Sequence, residues 1–372
     1  MFTDIAAQAG LFDPNRTGMT LDDYDYPLSE ARIASYPLPE RDQSRMLVLN
    51  RATGAISHHQ FSELPQFLNA GDLMVVNNTK VLPARFYGNR QGFTGKVEIL
   101  MLQPTSDEVS PDQQGLVWNA LMKPARKLKP GTIVELPNTQ ATMEVLHVGE
   151  RGCCTVLIHP AEHGDMPTLM QHVGRMPIPP YLRREPEASD NERYQTVYSK
   201  VPGAQAAPTA GLHFTPQVLE ALAQKGLHRA EVTLAVSSGT FRSVETDDIT
   251  DHIMDPEFYG ITEETAQQVQ ATYQAGGKIL GIGTTVVKTL ETSASLHNGQ
   301  VMAGNGASEL FIYPGFQFQV VDHMLTNFHL PKSTLLMLIS AFAGREQIAK
   351  AYQAALEHDY RFYSYGDCML IL

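Results

Sequence analysis

Residues 72–159 open on LMVVNN (73–78) and continue through ARFYG (84–88), KVEILML (96–102), LVWNALM (116–122), TIVEL (132–136), TMEVLHV (142–148) and CTVLIH (154–159). The runs are short, β-rich and separated by turn residues at near-regular spacing, and none of them carries the 3.6-residue apolar period of a helix. That pattern predicts a small antiparallel β-barrel, with a β-sandwich as the alternative. On either side the texture is different. Before it, MLVLN (46–50) turns through Thr53-Gly54 into ISHHQF (56–61), a hairpin whose adjacent His58 and His59 point to opposite faces and read as exposed. After it come strand-then-helix units, so the expected fold class is an α/β main domain, a mixed sheet with flanking helices, carrying an inserted small antiparallel β-barrel domain. The expected boundaries are a flexible N-terminal tail at 1–20, the α/β domain at 21–70 and 160–372, and the barrel at 71–159.

Composition narrows the function classes. A chain of 372 residues with formal charge −12 is not a generic polyanion binder, and any nucleic-acid contact must come from a local basic patch. Three cysteines, two of them adjacent at Cys153 and Cys154, offer neither a disulfide framework nor a CxxC metal half-site, so no metal is expected. The first residues lack a signal-peptide pattern, and the apolar run near Leu335–Ala343 is too short to span a bilayer. A cytoplasmic protein with no membrane contact is the expectation.

Rigid Gly/Pro/Thr/His/Asn loops recur where strands hand over to helices. In GAQAAPTAGLHFTPQVLEALAQKG (203–226), Thr215 reads as N-cap, Pro216 as the first helical residue and Gly226 as the stop. Thr209, Gly211 and His213 precede that helix, a place suited to polar or anionic ligands, and the bland alternative is a capped connection with a hydrogen-bonded histidine. KILGIGTTVVKTLE (278–291) reads as strand, glycine turn and helix, with Gly281, Gly283, Thr284 and Thr285 near a ligand; the dinucleotide fingerprint is incomplete there. Asn327 and His329 again precede a proline and a helix capped by Ser333. If the strands share a sheet, these loops meet at one edge, as a rim for a neutral or cationic small molecule with a nucleoside part. Two basic clusters stand apart: Lys123, Arg126, Lys127 and Lys129 in KPARKLKPG, with Arg85 and Arg90 as possible neighbours, and Arg175, Arg183 and Arg184. Either is a solvated loop or a phosphate-backbone contact.

The motifs YPLPERDQSRMLVLNR, GDLMVVNNTKVLPAR, PGAQAAPTAGLHFT, GTTVVKTLE, FIYPGF, TNFHLPKSTLLMLISAFAG and YRFYSYGDCMLI occur in this order from Tyr24 onward. They closely resemble the S-adenosylmethionine:tRNA ribosyltransferase-isomerase family of queuosine biosynthesis. The resemblance implies transfer and isomerisation of the ribosyl part of S-adenosylmethionine onto 7-aminomethyl-7-deazaguanine at the tRNA wobble position. Epoxyqueuosine forms, and adenine and methionine leave. It also implies an α/β domain with an inserted barrel, S-adenosylmethionine as co-substrate with no separate cofactor, the tRNA anticodon loop as partner, and a monomer is expected.

Within that chemistry, protons beside a sulfonium are acidic, so a base of near-neutral pKa suffices, and His213 or His329 is the expected choice. Loss of adenine wants an acid, for which Asp255 or Glu257 serves if burial raises its pKa. The cationic sulfur favours aromatic faces such as Tyr313 or Tyr363. Four positions depart from the family pattern: Ala235 for a histidine and Ser237 for a glycine in AVSSGTF, Asp255 for a histidine in HIMDPE, and Lys288 for an arginine in GTTVVKTLE. Those departures motivate a second reading, a non-catalytic tRNA- or nucleoside-binding relative. An ordinary methyltransferase is disfavoured because its early acidic glycine-rich loop is missing.

Overall fold

The computed structural model describes residues 19–105, 115–236, 244 and 246–372. Ser237 lies outside them, as does all but the end of the expected tail. Met19 and Thr20 are already tied down: Ile249 N–H donates to the Met19 carbonyl, and Thr20 bridges to Asp248.

In chain order the strands are β1 (Arg45–Leu49), β2 (Ile56–Gln60), β3 (Leu73–Asn77), β4 (Thr79–Val81), β5 (Arg85–Arg90), β6 (Lys96–Pro104), β7 (Leu116–Lys123), β8 (Ile133–Glu135), β9 (Thr142–Val148) and β10 (Cys153–His159). They continue as β11 (Val201–Ala204), β12 (His228–Leu234), β13 (Glu257–Ile261), β14 (Ile279–Ile282), β15 (Gly304–Ser308), β16 (His323–Asn327) and β17 (Cys368–Ile371). Among the described residues the α-helices are α1 (Met166–Val173), α2 (Pro216–Gln224), α3 (Glu263–Gln274), α4 (Thr284–Leu296), α5 (Thr334–Ala343) and α6 (Arg345–Glu357), besides a single turn at Asp190–Arg193.

Nine described strands form one mixed sheet in the order β15-β13-β12-β3-β14-β16-β17-β1-β2. Its centre, β12, β3, β14 and β16, is parallel. Both faces are covered at the middle of the sheet, so β3 and β14 are buried at every position rather than alternating, while β12 still alternates. Leu73 and Val75 of β3 face the core under α3, α4, α5 and α6, while Met74 and Val76 face the opposite core built on Phe61, Phe214 and α2. The caps expected at Thr215 and Ser333 form, each hydroxyl accepting the N–H three residues on, from Val218 and Leu336.

The closed barrel has the order β10-β7-β6-β5-β8-β9, antiparallel throughout, and buries alternate residues such as Val97, Ile99 and Met101 of β6. Two corrections to the expected boundary at 71–159 follow. LMVVNN is no barrel strand: β3 lies in the middle of the main sheet, and the barrel strands start at Arg85. At the other end α1 belongs with the barrel, since Met166, Leu169 and Met170 pack into its core. Gly174 then passes so close to Pro83 that a Cβ there would lie 1.9 Å from the Pro83 carbonyl oxygen, which pins the exit of the insertion against its entry.

A buried polar knot joins the bridge after the barrel to the C-terminal segment. Asp190 accepts two bonds of 2.7 Å from the Arg184 guanidinium, one of 2.8 Å from Glu187 N–H and one of 2.9 Å from the Tyr365 hydroxyl. Removing one partner strands the other charge away from water. Asp190→Ala is therefore expected to cost about 3–5 kcal/mol in denaturant unfolding. A change under about 1 kcal/mol would show that Arg184 finds water or another partner.

Candidate active site

The parallel strands β12, β3, β14 and β16 end at the same edge of the sheet, where open α/β sheets leave a crevice. A narrow cleft opens there, lined by Ala207, Pro208, Thr209, Ala210, Val236, Gly283, Thr284, Thr285, Thr326, Asn327, His329, Leu335, Tyr363 and Ser364. Among the described residues the lining carries hydroxyls, an amide, an imidazole and a phenol, and no Asp, Glu, Lys or Arg.

Each element is held for a local reason. Gly283 adopts φ 87°, a left-handed conformation that favours glycine, and this turns β14 straight into α4. Its N–H bonds to the Leu325 carbonyl, while no side chain caps the helix, so the first N–H groups of α4 point into the cleft as donors. Asn77, at the end of β3, bonds through its side chain to both N–H and carbonyl of Leu234 and to the Thr285 hydroxyl at 3.3 Å, fixing β12 against α4. Asn327 Nδ2 donates to the Tyr363 carbonyl at 2.9 Å, and Tyr363, at φ 72°, is held in a conformation unusual for a side-chain-bearing residue. Asn327 Oδ1 is buried and makes no hydrogen bond of normal geometry among the described residues, with the His213 ring as its neighbour.

His329 is buried. Its Nε2 lies 2.8 Å from the Thr326 hydroxyl, its N–H donates to the Tyr352 hydroxyl at 2.8 Å, and its carbonyl accepts from Tyr26. Burial lowers its pKa to about 3, so the ring is neutral at physiological pH. The near-neutral base expected of this position is thus not what the cleft holds. His213 is also buried, with Nδ1 2.8 Å from Ser44 Oγ and its ring against Phe61. Burial lowers its pKa to about 4; Asn327 lies close enough to oppose this in part, although no hydrogen bond of normal geometry joins them.

Of the residues expected at the site, Thr209, Gly283, Thr284, Thr285, Asn327, His329 and Tyr363 come together. Others do not line this cleft. His213 borders an adjoining groove with Arg41, Ser44 and Tyr365. Gly211 and Gly281 lack a Cβ for packing: one would meet the Tyr198 hydroxyl at 2.3 Å and the other Val287 at 3.1 Å. Tyr313 packs on Phe311, 5.1 Å between ring centres. Asp255 is exposed, so the burial on which its candidacy as an acid depended is absent. Glu257 is buried and ion-paired with Lys288 at 2.9 Å. The antiparallel register of β12 and β13, Leu234 opposite Tyr259, brings Glu257 to the same end of the sheet as the cleft. Lys288 thus places a cation on Glu257.

The basic clusters divide in the same way. Lys123, Arg126, Lys127 and Lys129 are exposed on the barrel, and Arg175 is exposed beside Tyr87. Arg85 is spent on Glu98 at 3.2 Å, Arg183 on Glu30 and Arg184 on Asp190. Sequence reading missed Asn77, Ser364 and Arg41, which donates to the Leu212 and Glu192 carbonyls beside His213. Asn77 carried a signal, a polar residue directly after a fully apolar strand, that went unread because the strand was placed in the barrel.

Comparison with known proteins gives one answer along the chain. Residues 21–371 match the family described as queuosine biosynthesis protein. The S-adenosylmethionine:tRNA ribosyltransferase-isomerase of Heliobacterium modesticaldum is 47% identical over 94% of this chain and 98% of that protein. The protein of the same name from Thermosynechococcus vestitus is 45% identical over 96% and 98% respectively. Among solved structures, S-adenosylmethionine tRNA ribosyltransferase from Thermotoga maritima is 35% identical, with a TM-score of 0.52, covering 94% of this chain and all of that one.

Proposed function

This chain belongs to the S-adenosylmethionine:tRNA ribosyltransferase-isomerase family of queuosine biosynthesis, and from that membership we propose how its two parts divide the work. The enzyme moves the ribosyl group of S-adenosylmethionine onto 7-aminomethyl-7-deazaguanine in tRNA and isomerises it, releasing adenine and methionine. The sheet-edge cleft takes S-adenosylmethionine, and the observation that carries this is its uncharged lining. Among the described residues no lysine or arginine lines the cleft to repel a sulfonium, and Tyr363 offers it an aromatic face. The uncapped N–H groups of α4 suit ribose hydroxyls or a carboxylate. Neutral His329 accepts the proton lost from carbon beside sulfur. Glu257, held by Lys288 at the same end of the sheet, orients the ribosyl hydroxyls.

S-adenosylmethionine acts here as co-substrate, and the reading calls for no separate cofactor or metal. A single chain carries both cleft and basic patch, which supports a monomer working on tRNA in the cytoplasm. No helix among the described residues is long and apolar enough to cross a membrane.

Incubation with S-adenosylmethionine and tRNA carrying the deaza-base tests the reaction directly. Adenine and methionine should appear together; S-adenosylhomocysteine would mean methyl transfer, and neither product would mean a binding relative. The RNA half has its own test. Neutralising Lys123, Arg126, Lys127 and Lys129 should weaken tRNA binding and flatten its log–log salt slope by roughly 0.7–0.9 per lost phosphate contact. An unchanged slope would move the RNA elsewhere, with exposed Arg175 next to examine.

A further inference from the structure

The tip of the β5–β6 hairpin presents an aromatic ring beside the basic loop that carries Arg126, Lys127 and Lys129. Phe93 is 60% exposed. The tip is well tied: Phe93 N–H donates to the Arg90 carbonyl at 2.8 Å, Gln91 N–H to Ile133 at 2.9 Å, and Asn89 Nδ2 to the Thr94 carbonyl at 3.0 Å. The Arg90 guanidinium carbon sits 4.2 Å from the centre of the Phe93 ring, and the same guanidinium donates to the Lys127 carbonyl at 3.2 Å. Arg90 thereby covers one face of the ring and fastens the hairpin to the loop that carries Arg126, Lys127 and Lys129. The patch is not uniformly positive, since Glu98 stands opposite Lys123 and Glu135 opposite Asn89 in the barrel ladder. Glu98 is nonetheless occupied by Arg85.

We propose that Phe93 is a stacking platform for one unpaired nucleobase of the RNA substrate, with the surrounding lysines and arginines taking the flanking phosphates. This rests on the reading that the barrel patch binds tRNA. An exposed ring among cations is the arrangement by which single-stranded nucleic acid is held without base-specific hydrogen bonds. The exposed ring face has no use in the fold, and a π-faced, negatively charged chain satisfies both the ring and its neighbours. Double-stranded RNA keeps its bases stacked on each other, so the platform selects a loop over a stem.

Anisotropy titrations with an anticodon stem-loop RNA, and with a duplex RNA of the same length, provide the test. Phe93→Ala and Phe93→Leu should weaken stem-loop binding by about 5- to 150-fold, leave its salt slope unchanged, and leave duplex binding unchanged. Phe93→Trp should retain affinity and show indole quenching on binding the stem-loop. Equal affinity of Phe93→Ala and the parent protein, full affinity of Phe93→Leu, or equal weakening for stem-loop and duplex would each overturn the platform. If the four-cation variant keeps its salt slope as well, the barrel as an RNA site fails; if only the Phe93 variants behave as parent, the patch stands and the platform alone falls.

Discussion

Replacing His329 by alanine is expected to lower turnover by roughly 10²–10⁴-fold, the range for removing a positioned proton acceptor. The expectation comes from where the ring sits. It is buried in the wall of the cleft that gathers the loops of β12, β14 and β16, and its Nδ1 bonds to no group among the described residues. With a pKa near 3 it is neutral at pH 7, its ring nitrogen available to a proton but a weaker base than an ordinary imidazole. A bound sulfonium adds positive charge nearby and disfavours the imidazolium further. The acid limb of a kcat–pH profile that belongs to His329 should therefore lie well below the ordinary histidine value of about 6.5. Asp255→Ala, at an exposed position, should change turnover by no more than a few-fold. Measured adenine release that is equal in His329→Ala and the parent would remove the histidine from the chemistry; a large loss in Asp255→Ala would mean that its loop closes over the substrate.

The same burial makes stability depend on pH. Both histidines have folded-state pKa values below the unfolded value of about 6.5, near 4 for His213 and near 3 for His329. As pH falls below about 6.5 the unfolded chain takes up protons that the folded chain refuses, so stability present at pH 7 drains away on acidification. Each histidine contributes a slope of up to about 1.4 kcal/mol per pH unit between its unfolded and folded pKa. Against a typical total of about 5–15 kcal/mol this is a large fraction. Glu291 and Asp367 work in the opposite sense, because burial raises their pKa and the fold gains from protonating them as pH falls. Denaturant melts between pH 7 and pH 5 should show a steep fall, and His213→Gln with His329→Gln should flatten it. A parent protein equally stable at both pH values would mean that these rings open to water at little cost.

The barrel was legible in the sequence because its strands bury one face each and alternate, a pattern that survives without knowledge of partners. LMVVNN misled for the complementary reason: a short run apolar at every position fits either a barrel strand beside other short strands or a central strand covered on both faces. Helix caps at Thr215 and Ser333 were readable since their partners lie three residues away. Glycines were overread. Whether a missing Cβ makes room for a ligand or for Tyr198 and Val287 depends on chain segments far away in sequence, as it does for Arg183, whose partner Glu30 is 153 residues distant. The clustering of basic residues could not reveal which of them were already engaged.

The close apposition at the root of the barrel bears on the order of folding. Arg85 and Arg175 exchange N–H···O bonds of 3.1 and 2.8 Å, so a finished barrel brings the two ends of a long excursion together. The main sheet depends on distant partners: β3 must find β12, and β1 must find β17. Such pairings are slow because a long loop must be closed before any contact rewards it. The barrel's strands and core helix are contiguous in sequence, so it can form without waiting for the rest. Once formed, it acts as a clasp that removes its own length from the loop between β3 and β12. An insertion that interrupts the central sheet in sequence thus shortens the search by which that sheet assembles.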